Sequence, residues 1–136
     1  MATAGYSGTP LAKKLGIKPE MKVLLLNAPS NYSQLLEQDI KKQLIKSSDL
    51  PDFVHLFSAS TREFEAQMKT VLPLAKKNTT ICIWASWYKK AAGIPTDLNE
   101  DIIRNFALKN GLVDVKVCAV SDIWSGLKLV VPLSKR

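Results

Sequence analysis

The sequence predicts an α/β protein: three layers built on one five-stranded sheet with helices on both faces. Three observations carry that prediction. Short, nearly continuous apolar runs, such as Val23-Leu24-Leu25-Leu26 and Phe53-Val54-His55-Leu56-Phe57, read as strands buried on both faces. Segments with helical apolar spacing alternate with those runs, so the crossovers must cover both faces of a parallel sheet. The last two strand-like segments follow each other across a short connection and read as an antiparallel hairpin. With 136 residues, 46% apolar and 23% charged, one domain is expected, with residues 1–9 as an arm and 10–136 as the core. Such a chain buries roughly two thirds of its extended surface without a disulfide or metal.

Each element has a local reason. Thr9 and Pro10 suit the N-cap and first position of a short helix, Leu11 to Leu15, stopped by Gly16. Lys22 to Asn27 is the first strand and Ala28-Pro29-Ser30-Asn31 a turn. Tyr32, Leu35, Leu36, Ile40 and Leu44 then recur at helical spacing, which predicts one amphipathic helix to about Ile45. Phe53 to Phe57 is the second strand. Ser60 and Glu63 have the spacing of a capping box opening the next helix, whose inward stripe is Phe64, Met68, Val71, Leu72 and Ala75. Pro73 should kink or restart that helix.

Thr79 to Trp87 is the third strand. In it Trp84 and Trp87 should face opposite sides, one in the core and one lining the strand end. The loop Tyr88 to Pro95 leads to Thr96 as the N-cap of a helix whose first turn carries Asp97, Glu100 and Asp101. Leu98, Ile102, Phe106 and Ala107 make its buried face, and Asn110-Gly111 stops it. Leu112 to Ser121 and Trp124 to Pro132 form the hairpin, with Asp122 in its turn and Gly126 admitting Trp124 or a neighbouring backbone closely.

Composition excludes several chemistries. Residues 1–6 show no signal-peptide pattern, and no apolar run approaches the roughly 20 residues of a bilayer crossing. A cytoplasmic protein without a membrane partner is therefore expected. Cys82 and Cys118 are far apart, each inside a strand-like run, and read as buried thiols. One histidine and two dispersed cysteines give no metal-site spacing. His55 sits mid-strand, the wrong place for the base of a nucleophilic triad. The net charge of +7 comes from 16 Lys and only 3 Arg. Scattered lysines on helix surfaces argue against a nucleic-acid groove.

The closing helix-strand-strand unit resembles the S-adenosylmethionine-dependent methyltransferase fold, in which an antiparallel last strand inserts beside its neighbour. That resemblance implies a Rossmann-like sheet of order 1-2-3-5-4 with the last strand antiparallel. The cofactor signals of such a sheet are missing. Asn27-Ala28-Pro29-Ser30-Asn31-Tyr32 has no glycine after the first strand, and Pro29 removes a donor. The strand that ends in a ribose-binding acid is also absent. No cofactor is expected, neither S-adenosylmethionine nor NAD in the usual mode.

What remains is the carboxyl edge of the sheet. Asn27, Pro29, Ser58, Ser60, Ser86, Trp87, Lys89 and Lys90 should lie there, roofed by Tyr6, Ser7 and Thr9 of the arm. Lys89 and Lys90, beside helix starts near Ser60 and Thr96, are the candidates to hold a small anionic ligand. The competing explanation is two solvated loop lysines. Asp97, Glu100 and Asp101 read as helix-dipole partners rather than as acids and bases.

Several stretches together resemble a small bacterial family of uncharacterised proteins, the domain-of-unknown-function family 3052. They are Gly5-Tyr6-Ser7-Gly8-Thr9-Pro10-Leu11 with Lys14-Leu15-Gly16-Ile17, Val23-Leu24-Leu25-Leu26-Asn27-Ala28-Pro29, and Ser86-Trp87 with Lys89-Lys90. Thr96-Asp97-Leu98 with Glu100-Asp101, Gly111 to Asp114 through Lys116 to Val120, and Trp124-Ser125-Gly126-Leu127-Lys128 complete the match. Tyr88 departs from the proline expected after Trp87. The resemblance implies a cytosolic bacterial protein and brings no activity with it. The expectation is a non-catalytic binding or regulatory domain on a degenerate methyltransferase-like scaffold. Its competitors are an enzyme acting on a phosphorylated or carboxylated small molecule, with Lys89 or Lys90 stabilising charge, and a weak lysine-mediated nucleic-acid binder. The sequence names no protein partner.

Overall fold

Parallel strands must hide both faces, and successive side chains of the parallel strands enter two different cores to do so. The computed structural model describes residues 10–46 and 49–136. Five strands, β1 (Val23–Leu26), β2 (Phe53–Phe57), β3 (Cys82–Tyr88), β4 (Val113–Ala119) and β5 (Trp124–Val130), form one sheet of order β1-β2-β3-β5-β4. β1, β2 and β3 pair in parallel, while β5 inserts antiparallel between β3 and β4. This is the expected order and the expected antiparallel last strand.

Helices α3 (Thr61–Lys77) and α4 (Glu100–Lys109) cover one face, burying Phe64, Met68, Val71, Leu74, Ala75, Ile103 and Ala107. Helices α1 (Leu11–Leu15) and α2 (Tyr32–Leu36) cover the other, around Phe53, Phe57, Trp84 and Trp124. Val54, Leu56, Ile83, Ala85 and Trp87 point to the first face. Phe53, Phe57 and Trp84 point to the second. The two tryptophans of β3 thus divide as their spacing predicts. No helix among the described residues is long and apolar enough to cross a membrane.

Local rules succeed where neighbours agree with them. Gly16 stops α1 at φ 83°, and its amide reaches the Ala12 carbonyl. Pro10 is the N-cap of α1 rather than its first residue, and Thr9 lies outside the described residues. Ser60 caps α3 by accepting from the Glu63 amide at 3.1 Å. The Glu63 carboxylate completes the box one residue early, on the Ala59 amide at 2.7 Å. Gly111, at φ 82°, follows α4 as expected.

Four expectations need correction. The helix from Tyr32 to Ile45 ends at Leu36, because Glu37 turns left-handed at φ 56°. Ile40 then enters the core separately, and Leu44 runs beside β1, where the Ile45 amide donates to Val23 O at 2.9 Å. That segment covers part of an open sheet edge, a tertiary demand that overrides helical spacing. α3 runs continuously through Pro73, with Leu74 buried and Leu72 only half-buried. The N-cap of α4 is Asn99, whose Oδ1 accepts from the Ile102 amide, and not Thr96.

Gly126 makes room for side chains from other segments, not for Trp124. A Cβ there would lie 3.1 Å from Trp84 Cε3 and 3.1 Å from Val120 Cγ2. Both neighbours are fully packed, so Gly126→Ala forces them apart. Urea unfolding should show a loss of about 1–3 kcal/mol. An unchanged midpoint would mean that the β3–β5 crossing tolerates overfilling.

Candidate functional site

Three parallel strands end on the same edge, and the predicted site residues separate there into four groups. Trp87, Lys89 and Lys90 line an open cleft of about 830 Å³. Its far wall is Ile94 to Asp101, of which Thr96, Asp97, Glu100 and Asp101 read in the sequence only as a helix start. Ser60 is occupied as the α3 cap. Asn27 and Pro29 lie on the turn after β1. Ser58 and Ser86 are fully buried and hydrogen-bonded inside the fold. Tyr6, Ser7 and Thr9 lie outside the described residues.

The turn after β1 is closed by its own side chains. Asn27 takes the left-handed conformation at φ 59°, which asparagine tolerates better than most residues. Its Nδ2 donates to Phe57 O at 3.2 Å and reaches Glu63 Oε1 at 3.5 Å. The Tyr32 amide donates back to Pro29 O at 3.0 Å. Next to this turn there is a pocket of only about 190 Å³, lined by Pro29, Asn31, Leu35 and Ser121 to Trp124. Ligand sites generally need roughly 300 Å³ or more.

Tyr32 is held from below by a chain that sequence reading missed. Its hydroxyl is 2.7 Å from His55 Nδ1, and His55 Nε2 is 2.7 Å from Ser86 Oγ. His55 is fully buried and stacks on Phe57 at 4.2 Å. Burial lowers the His55 pKa to about 3 and pushes the Tyr32 phenol up. A neutral histidine needs one donor and one acceptor. One of the two hydroxyls therefore donates to the ring and the other accepts from it, so both ring nitrogens are satisfied. The register signal was available: His55 and Trp84 pair across β2 and β3, and a histidine flanked by Phe53 and Phe57 on one face must find buried partners.

The helix starts beside the cleft are already satisfied. Asp97 Oδ1 accepts from the Thr61 amide at 2.8 Å, Thr61 Oγ1 donates to Asp97 O at 3.2 Å, and Thr96 Oγ1 donates to Ala59 O at 2.8 Å. These bonds strap the 96–97 segment across the start of α3. At α4, Arg104 bridges Glu100, Asp101 and Asp114, the last at 3.0 Å. The bond to Asp114, then that to Glu100, holds the guanidinium pKa above its usual value. All three cleft acids therefore have internal partners. Among the described residues neither Lys89 nor Lys90 has an acid within ion-pair distance, and no group of three or more His, Cys, Asp or Glu could hold a metal ion.

This architecture is similar to solved structures of methyltransferases. One is a Streptococcus pneumoniae protein provisionally assigned as a tRNA (m1A22) methyltransferase, at a TM-score of 0.58 and 9% identity, over 89% of this chain and 67% of that one. Another is the magnesium protoporphyrin IX methyltransferase of Synechocystis with bound SAH, at 0.54 and 13%, over 82% and 74%. A third is a provisionally assigned type 11 methyltransferase from Sulfolobus solfataricus, at 0.54 and 16%, over 85% and 87%. The chain has a methyltransferase-like Rossmann fold. At these identities the likeness concerns the fold alone. No protein-family model matches the chain, and no curated protein does.

The His55 shift has a signed consequence. Unfolded His55 binds a proton below about pH 6.5, whereas the folded residue resists protonation down to about pH 3. Stability is therefore full above pH 6.5 and falls as pH drops through that window, by about 3 kcal/mol at pH 4.5 from this residue. Urea unfolding of wild type and His55→Gln at both pH values checks this. The variant should start weaker and lose less between pH 7.5 and 4.5. Equal losses would mean His55 is not the buried neutral base.

Proposed function

We propose that this chain is a non-catalytic binding domain that holds a small anionic molecule in the cleft between β3 and the start of α4. The observation that carries the reading is the imbalance of commitments in that cleft. Asp97, Glu100 and Asp101 are each tied to an internal partner, while Lys89 and Lys90 have no ion-pair partner among the described residues. Two lysines lining a concave cleft favour a phosphate or carboxylate there. The buried Trp87 and Leu98 give the cleft a rigid floor.

A non-catalytic role is supported by what surrounds the lysines. The only histidine is sealed beneath the sheet, and neither cysteine thiol is activated, since burial raises both. The cleft acids are engaged by the Thr61 amide and by Arg104 rather than left open to a substrate. The bacterial family resemblance and a cytoplasmic setting complete this reading. Diffuse lysine charge without an arginine fork makes nucleic acid the poorer partner.

A thermal-shift panel of pyrophosphate, nucleotides and dicarboxylates tests the proposal. At least one anion should raise Tm by several degrees at saturating concentration. Lys89→Ala with Lys90→Ala should weaken its binding about tenfold or more, with the anion-free Tm unchanged. Stabilisation that persists undiminished in the double variant would place the ligand elsewhere.

A further inference from the structure

Of the acids that line the Lys89–Lys90 cleft, Asp97 is held differently from Glu100 and Asp101. Those two are bound by the guanidinium of Arg104. Asp97 has no cationic partner among the described residues. Its Oδ1 accepts from the Thr61 amide at 2.8 Å, and its backbone carbonyl accepts from Thr61 Oγ1 at 3.2 Å. A neutral amide orients a carboxylate without cancelling its charge. That charge stands in the same cleft as Lys89 and Lys90.

Thr61 is the first residue of α3, and Ser60 before it is extended, at φ -151° and ψ 162°. The Thr61 N–H is one of the helix-start donors that no carbonyl of α3 can serve. Asp97 takes that donor, which sets its carboxylate at the positive end of a 17-residue helix. The wall around Asp97 has separate fixings. Thr96 Oγ1 donates to Ala59 O at 2.8 Å and accepts from the Leu98 amide at 3.1 Å, and the Leu98 side chain is buried in the main core. Cutting the Thr61 contacts therefore frees the Asp97 carboxylate and leaves the wall in place.

We infer that Thr61 is a positioning residue whose latch on Asp97 keeps that carboxylate from pairing with Lys89 and Lys90. The inference rests on the anion-cleft reading and adds what keeps the lysines available. A carboxylate of the chain competes with any anionic ligand for two lysines beside it. Here the cleft acid without a cation is held on α3.

Thr61→Pro removes both donors at a position where proline suits a helix start and the extended Ser60 accommodates it. Thr61→Ser retains both. With pyrophosphate as the probe in calorimetric titration, Thr61→Pro should weaken binding at least fivefold, and Thr61→Ser should match wild type within twofold. Thr61→Pro combined with Asp97→Asn should recover the wild-type affinity, because a neutral amide does not compete for the lysines. A displaced wall would not be repaired by that second change. Failure of the rescue, or wild-type affinity in Thr61→Pro alone, would overturn the inference. The latch also has a readout without any anion: the Thr61 amide should exchange with solvent at least tenfold faster in Asp97→Ala than in wild type, and equal exchange would overturn it. Pyrophosphate failing to bind a wild type in which that amide is protected would overturn the cleft reading itself, and with it the role assigned to the latch.

Discussion

The hydrogen-bonded chain from Tyr32 through His55 to Ser86 is the constraint on which the edge of this sheet depends. Tyr32 is the first residue of α2, and its hydroxyl has one partner, a histidine with no access to water. Leaving that hydroxyl unpaired inside the fold would cost about 1–3 kcal/mol. The helix start is therefore pinned to the face of β2. The chain leaving β1 must reach it within the Asn27–Asn31 turn, and it does so by a left-handed step at Asn27. A glycine-rich turn uses bare backbone at such a step. Here an amide side chain makes the step and then ties itself to Phe57 O and Glu63.

The same economy recurs around the carboxyl edge. The amides that open α3 receive Ser60 and Asp97, and the acids that open α4 receive Arg104. A Rossmann-like scaffold ordinarily leaves such groups for a ligand. In this chain its own side chains take those places, and the open volume lies beyond β3, where Lys89 and Lys90 stand. The fold is a methyltransferase-like sheet, and its turn after β1 is tied by the chain's own side chains.

Much of the fold was legible because local and tertiary preferences agree. The apolar runs of β1 and β2, the capping Ser60, the left-handed Gly16 and Gly111, and the opposed Trp84 and Trp87 each follow from spacing alone. The failures occur where a distant partner decides. Leu44 has helical spacing from Ile40 but is claimed by the edge of β1. Thr96 looks like a cap but serves the Ala59 carbonyl. In the site, Lys89, Lys90 and Trp87 were readable as strand-end residues. Ser58 and Ser86 were not separable from them, because only the three-dimensional register shows that both turn into the sheet. The role of His55 needed knowledge that Tyr32 would pack against it.

The central claim is that side chains of this chain close the turn after β1, Asn27 on Phe57 O and Glu63. Its most direct test is an amide-resolved NMR titration with S-adenosylmethionine, following the backbone amides of Ala28 to Tyr32 and the Asn27 side-chain amide. The closed turn predicts no saturable shifts there up to millimolar ligand. Saturable shifts with a micromolar midpoint, centred on Asn27 and Phe57, would contradict it and return this chain to the cofactor-binding transferases.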